Sequence, residues 1–292
     1  MGSFDPQPGA PAGFLRTTHK PSWLARTSKP LFIADQNLRD RATFPRALGP
    51  WVLDSGGFMQ LKSTGRWQFT VDAYLRQIAL YQEKIGNLAW AAPMDYMCEE
   101  DIRHGEGNGY QFTPRTSVLC HQHLTTENYM LACERWPRYG DGPCPVRPVL
   151  QGWRPDDYLA HAEMYAAEGV NLRGFDVVGL GSVCRRSSTL SIIRLLHEVS
   201  ALGLQLHGFG VKREGLRMAG HLFRSADSMA WSMDALHEPP LPGHTHQHCQ
   251  NCFDYAMQWC DDTEAIFTDP DFQTRNSSLY SPSWENALPL AA

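Results

Sequence analysis

Short apolar runs recur along the chain, and each ends in a polar residue or a glycine. They are Phe14–Thr18 ending at His19, Leu31–Ala34 at Asp35, Trp51–Leu53 at Asp54, and Leu88–Met94 at Asp95. Val146–Leu150 ends at Gln151, Phe175–Leu180 at Gly181, Gln205–Phe209 at Gly210, and the weaker Leu222–Ala226 at Asp227. Runs of this kind suit strands buried on both faces. Helical patterns lie between several of them. Thr70 can cap Val71–Ile85, whose Val71, Tyr74, Leu75, Ile78 and Tyr81 share one stripe. Thr116–Trp136 is a second helix, Asp156–Glu168 a third with Pro155 at its first position, and Thr189–Ala201 a fourth, stopped by Gly203. Strand and helix alternating to eight strands predict a parallel α/β fold, the (β/α)8 TIM barrel, with a doubly wound open sheet as the alternative. In a barrel, His19, Asp54, Asp95, Gln151, Gly181, His207 and Asp227 all face one mouth.

Composition narrows the picture. The chain has 292 residues, 42% of them hydrophobic, enough for one large core. It contains no apolar run long enough to span a membrane. Met1–Ala12 is rich in Pro and Gly and lacks the order of a signal peptide, so residues 1–12 read as a disordered lead and the protein as cytoplasmic. The barrel is expected over residues 13–240. Residues 241–292 then form a small zinc-binding extension with a C-terminal helix packed on the barrel. A net charge of −5 means that any nucleic acid must be held by a local patch. Of the eight cysteines only Cys249 and Cys252 are closely spaced, which fits a reducing compartment and one metal site better than a disulfide framework.

The chemistry gathers at the expected mouth. Asp54-Ser55-Gly56-Gly57-Phe58 places a carboxylate on a tight turn with an aromatic face beside it. Two carboxylates flanking a bond suit chemistry at an anomeric carbon, one as nucleophile and the other carrying the proton. Asp95 and Gln151 suit the hydrogen-bonding edge of a planar heterocycle, and Phe58 can stack on it. Gly181 and Gly210 leave room for a flat ligand.

These motifs resemble the queuine/archaeosine tRNA-guanine transglycosylase superfamily, and most of all its short phage-type branch acting on DNA, the DNA 7-deazaguanine transglycosylases (DpdA-like). Asp54-Ser55-Gly56-Gly57-Phe58 matches the superfamily's Asp-Ser-Gly-Gly-Phe, Asp95 its base-recognising aspartate, and Leu150-Gln151-Gly152 its Val-Gln-Gly. Gly179-Leu180-Gly181-Ser182 is similar to its Gly-Gly-Leu turn. His207-Gly208-Phe209-Gly210 is similar to Met-Gly-Val-Gly, and Ala226-Asp227-Ser228 to the segment bearing the nucleophile. The resemblance implies that Asp227 attacks C1′ and that Asp54 is the general acid/base. It implies that Asp95, Gln151 and Gly181 hold the base edge, that Phe58 stacks on it, and that His207 lines the pocket. The implied partners are DNA, presenting a single-stranded or flipped-out guanine, and a free 7-deazaguanine base. A tRNA substrate, a non-catalytic nucleic-acid-binding subunit and hydrolysis of another N-glycoside are the alternatives.

His244, His246 and His248 precede Cys249 and Cys252 within nine residues. Thiolate and imidazole suit a tetrahedral structural zinc site. The superfamily's Cys-x-Cys-x-x-Cys differs here, because Gln247 stands at its first cysteine. Cys249 and Cys252 with His244 and His246 are the expected ligands, since His248 adjoins Cys249, and Cys260 is the fallback. Arg185 and Arg186 after the sixth strand, and Lys212 and Arg213 after the seventh, are the candidate phosphate contacts. Trp153, Trp231 and the zinc loop could serve a homodimer interface.

Overall fold

The computed structural model describes residues 9–104, 117–183 and 189–269. Eight parallel strands curl into one sheet: β1 (Gly13–Thr17), β2 (Leu31–Ala34), β3 (Trp51–Asp54), β4 (Leu88–Ala91), β5 (Val149–Leu150), β6 (Val178–Leu180), β7 (Leu206–Gly208) and β8 (Ser225–Ser228). Their spatial order is β4-β3-β2-β1-β8-β7-β6-β5. First and last strands therefore pair, with Leu15 opposite Asp227. The remaining seam, between β4 and β5, is joined by one parallel bridge, Ala91 to Val146. This is a TIM-barrel-like fold, and the open sheet is set aside because the bridge at Ala91 and Val146 brings the two end strands together.

Nine α-helices lie among the described residues. They are α1 (Gly57–Thr64), α2 (Val71–Lys84), α3 (Glu100–His104), α4 (Val118–Arg135), α5 (Pro155–Ala167), α6 (Thr189–Ser200), α7 (Arg213–Ala219), α8 (Ala230–His237) and α9 (Phe253–Thr268). Thr70 caps α2 by accepting from the Ala73 N–H at 3.2 Å, and the five expected stripe residues are all buried. None of these helices is long and apolar enough to cross a membrane.

Side-chain period two sorts each strand into an inner and an outer face. Leu15, Phe32, Val52, Trp90 and Val177 fill the interior. Phe14, Ile33, Trp51, Leu53 and Leu206 belong to the core beneath the helices. Two residues past Val52 is Asp54, and two past Leu15 is Thr17, so both point inward one layer nearer the mouth. Ser225 and Asp227 share a face of β8 in the same way.

Part of the expected loose lead is fixed to the floor of the barrel. Ala10 is buried against the interior cluster. Its N–H donates to Asp176 Oδ2 at 2.8 Å, and its carbonyl accepts from Arg224 at 2.8 Å. On the outer face of β1, Arg16 is fully buried and reaches α9, where it pairs with Asp261 and with Glu264 at 2.5 Å. Phe14 packs on Trp259 of the same helix, with ring centroids 6.1 Å apart. The Arg16 pairs tie α9, the second helix after the last strand, to the first strand. Arg16→Ala strips a buried guanidinium from two carboxylates and is expected to lower unfolding free energy by about 2–4 kcal/mol in urea titration. A change below about 0.5 kcal/mol would mean that packing alone holds α9.

Candidate active site

The mouth brings four of the expected residues together. Asp227 is buried in β8 and is held from three sides. Thr17 Oγ1 donates to Oδ2 at 2.7 Å, the Gly210 N–H donates to Oδ1 at 3.0 Å, and His207 Nε2 lies 3.4 Å from Oδ1. Gly210 takes φ 62°, the left-handed turn that aims its N–H at the carboxylate. Its N–H is thus committed to Asp227.

Asp54 ends β3, half-buried as a residue, and its Oδ1 accepts from the Gly56 N–H at 3.2 Å. Enclosure by protein pushes its carboxyl up to about 6. Repulsion from Asp227 and Asp35 adds to this, and the Gly56 N–H opposes it. Asp95 follows β4 and is almost fully buried. Burial first, then the neighbouring Asp54 charge, pushes it up to about 7, against the Gln151 amide that donates to its Oδ2 at 2.6 Å. Phe58, in the first turn of α1, is half-exposed beside Asp54, with the Lys62 ammonium 5.6 Å from its ring centroid.

Gln151 is fixed at every polar atom. Its Oε1 lies 2.7 Å from Ser182 Oγ, whose one hydrogen also faces Glu99 Oε2 at 2.8 Å, and its N–H donates to His161 Nδ1 at 2.8 Å. Its carbonyl accepts from Gln122 Nε2 at 2.8 Å. Burial draws His161 down to about 3, so the ring stays neutral. With Nδ1 accepting, Nε2 carries the hydrogen that faces Thr126 Oγ1 at 3.0 Å. Thr17, Gln122, His161 and Ser182 were not singled out from the sequence. His161 had a signal, since Tyr158, His161 and Tyr165 form the buried stripe of α5. Thr17 and Ser182 had none beyond adjacency to a strand end.

Several expectations are corrected by placement. Gly181 leaves room for Gln151 and not directly for a ligand, because a Cβ there would sit 2.2 Å from Gln151 Nε2. Its N–H goes to Leu150 O and its carbonyl accepts from the Tyr158 hydroxyl, so its backbone groups are occupied within the barrel. His207 is fully buried beneath Asp227 among aromatic rings and does not line an open pocket. The Arg213 guanidinium stacks on Trp259, 3.9 Å from the ring centroid, and donates to Thr263 Oγ1 and Trp259 O. It clamps α9 and is turned away from phosphate. Lys212 beside it is exposed, while Arg185 and Arg186 lie outside the described residues. Trp231 is fully buried, donates to Thr17 O at 2.9 Å, and is unavailable to a partner. His19 turns to Asn251 at 2.7 Å and not to the mouth.

Beyond β8, the ligand atoms of His244, His246, Cys249 and Cys252 all lie within 4.8 Å of one another. His246 Nε2 is 3.0 Å from Cys249 Sγ, while His244 Nδ1 is 3.4 Å from both His246 Nε2 and Cys252 Sγ. Tetrahedral bonds of about 2.0–2.3 Å space ligands about 3.3–3.8 Å apart, so this donor set fits a metal ion with little adjustment. The Leu241 N–H points at Cys249 Sγ at 3.4 Å, and Asp254 lies 3.7 Å from His244 Nε2, supplying the outer contacts such sites use. His248 and Cys260 are outside the cluster.

Fold and site together define a parallel α/β barrel with three aspartates converging at its mouth and a His2Cys2 cluster able to hold a metal beside it. The DpdA family model, described as DeoxyPurine in DNA protein A, matches residues 12–288, and the chain belongs to that family. Membership connects it with DNA modification of the guanine-transglycosylase kind. Among curated proteins no match is found.

Asp95 holds its proton more tightly folded, at about 7, than at its ordinary 3.8. From about pH 4 to 7 the folded state therefore binds more protons than the unfolded, and this contribution to stability falls as pH rises. Asp95→Asn keeps an acceptor for Gln151 without the charge. It is expected to raise unfolding free energy at pH 8 by about 1–3 kcal/mol, with little change at pH 4. Urea titrations at both pH values check this, and a loss of stability at pH 8 would contradict it.

Proposed function

We propose that the protein exchanges guanine in DNA for a free 7-deazaguanine base through a covalent aspartyl-sugar intermediate. The observation that carries this reading is the contrast between two carboxyls in one mouth. Asp227 is held by donors on both oxygens, whereas Asp54 is raised to about 6, where it can give and take a proton near neutrality. Asp227 attacks C1′ as the C1′–N9 bond breaks, and Asp54 delivers its proton to the departing guanine. The incoming base then loses its N9 proton to Asp54 and attacks C1′. The bond to Asp227 breaks, and its electrons return to the carboxylate. Two displacements retain the anomeric configuration.

Asp95 and Gln151 offer the base an acceptor and an amide, and Phe58 a flat face. Binding of a base whose N–H groups need the Asp95 carboxylate would release the proton that Asp95 carries. The target guanine leaves the stack to reach this depth, and exposed Lys212 and Arg154 at the βα turns are suited to the flanking phosphates. The cluster of His244, His246, Cys249 and Cys252 would hold structural zinc, securing the loop between α8 and α9 and taking no part in the displacement.

Purified protein given radiolabelled guanine is expected to label single-stranded or duplex DNA and not tRNA. Asp227→Ala abolishes labelling, and Asp54→Ala lowers it by about a hundredfold or more. Label in tRNA alone moves the activity to that polymer. Release of base without incorporation means hydrolysis, and no labelling of any polymer by folded protein points to a binding subunit. Metal analysis is expected to find one zinc per chain. Cys249→Ser or Cys252→Ser should lose it, with an unfolding free energy lower by about 2 kcal/mol or more. Full retention of zinc in both variants would remove the assignment.

A further inference from the structure

His207 occupies a costly place for a polar ring. It is fully buried, pairs with Ser225 across β7 and β8, and sits in a box of aromatic rings. Phe32 stacks on it at 5.5 Å and 23°, and Trp90 and Phe209 meet it edge-on at 5.1 and 4.8 Å. An aliphatic side chain would fill this box without the cost of desolvating two ring nitrogens. One nitrogen is satisfied, since Nδ1 is 2.9 Å from Ser225 Oγ. The other, Nε2, has no hydrogen-bond partner and lies 3.4 Å from Asp227 Oδ1. A lone pair aimed at a carboxylate oxygen would be repelled. The favourable arrangement therefore puts the hydrogen on Nε2, with the Ser225 hydroxyl donating to Nδ1.

We infer that His207 is a positioning residue whose Nε2–H, oriented by Ser225, steadies the Asp227 carboxylate and eases its departure from the sugar. The inference rests on the exchange reading above. When Asp227 attacks C1′, the C1′–N9 electrons leave with guanine and the carboxylate becomes a neutral ester. When the new base attacks, the C1′–O bond breaks and its electron pair returns to Asp227. A donor at Asp227 stabilises the carboxylate more than the ester, so it favours the second displacement over persistence of the adduct. Thr17 and Gly210 act in the same direction from the mouth side, and His207 does so from within the core.

The test compares His207→Leu, His207→Gln and Ser225→Ala in the full chain. The readouts are steady-state exchange, the fraction of protein trapped as a DNA adduct on denaturing gels, and NMR of 15N-histidine-labelled protein. His207→Leu is expected to lower kcat about 10–100-fold, lower KM for DNA in parallel so that kcat/KM for DNA changes little, and raise the adduct fraction. His207→Gln, which restores an N–H donor, is expected to recover most of the loss, and Ser225→Ala to fall between. In the unmodified protein the Nε2–H resonance should be observed, and it should shift in Asp227→Ala. A fall in kcat with no rise in adduct, or Leu and Gln variants of equal activity, would overturn the inference. If the unmodified protein exchanges no base, the exchange reading fails instead. The NMR arm then decides by itself whether the Nε2–H meets Asp227, and an unshifted resonance in Asp227→Ala would end the inference.

Discussion

Three carboxyl groups share one poorly solvated barrel mouth, and the rest of the site is arranged around the cost of keeping them there. Like charges at this spacing cannot all be ionised freely. Different neighbours separate them. Asp227 receives Thr17, Gly210 and the nearby imidazole of His207, Asp54 receives backbone N–H groups of the turn that follows it, and Asp95 receives the Gln151 amide. One acid is thereby supported by donors on both oxygens, while two are held ready to carry a proton. The same residue type at three strand ends thus meets three different environments.

The placement depends on a backbone that does not yield. Gln151 is held by His161 and Gln122 at its main chain and by Ser182 and Asp95 at its side chain. Beneath the mouth, Phe32, Trp90 and Phe209 pack around His207. On the far side, α9 is fastened to β1 by Arg16 and to α7 by Arg213. The Cys/His cluster lies in the connection from α8 to α9, so a metal there would fix the start of the helix that completes the outer ring.

Much of this was legible in the sequence because strand ends are punctuated and period two carries a side chain from interior to mouth. Asp54, Asp95, Gln151 and Asp227 were placed at strand ends that way, and the four residues of the Cys/His cluster were found because their spacing is local. What stayed hidden depends on partners distant in sequence. Thr17 meets Asp227 only because the first strand pairs with the last. Arg213 reads as a mouth cation until α9 offers the Trp259 face, and Trp231 as a surface tryptophan until it is seen beneath Thr17. Gly181 and Gly210 were rightly read as glycines required by geometry. The group Gly181 makes room for, Gln151, and the carboxylate that the Gly210 N–H meets, Asp227, belong to the protein itself.

The seam between β4 and β5 differs from the rest of the wall. Every other pair of neighbouring strands shares two to four registered residue pairs, but here one bridge at Ala91 and Val146 completes the cylinder. Asp95 stands just above one lip of this seam and Gln151 above the other, joined by the 2.6 Å contact between their side chains. The Asp95–Gln151 contact thus spans the most sparsely bridged line among the described strands, on the opposite side of the sheet order from β1 and β8, whose four registered pairs carry Asp227.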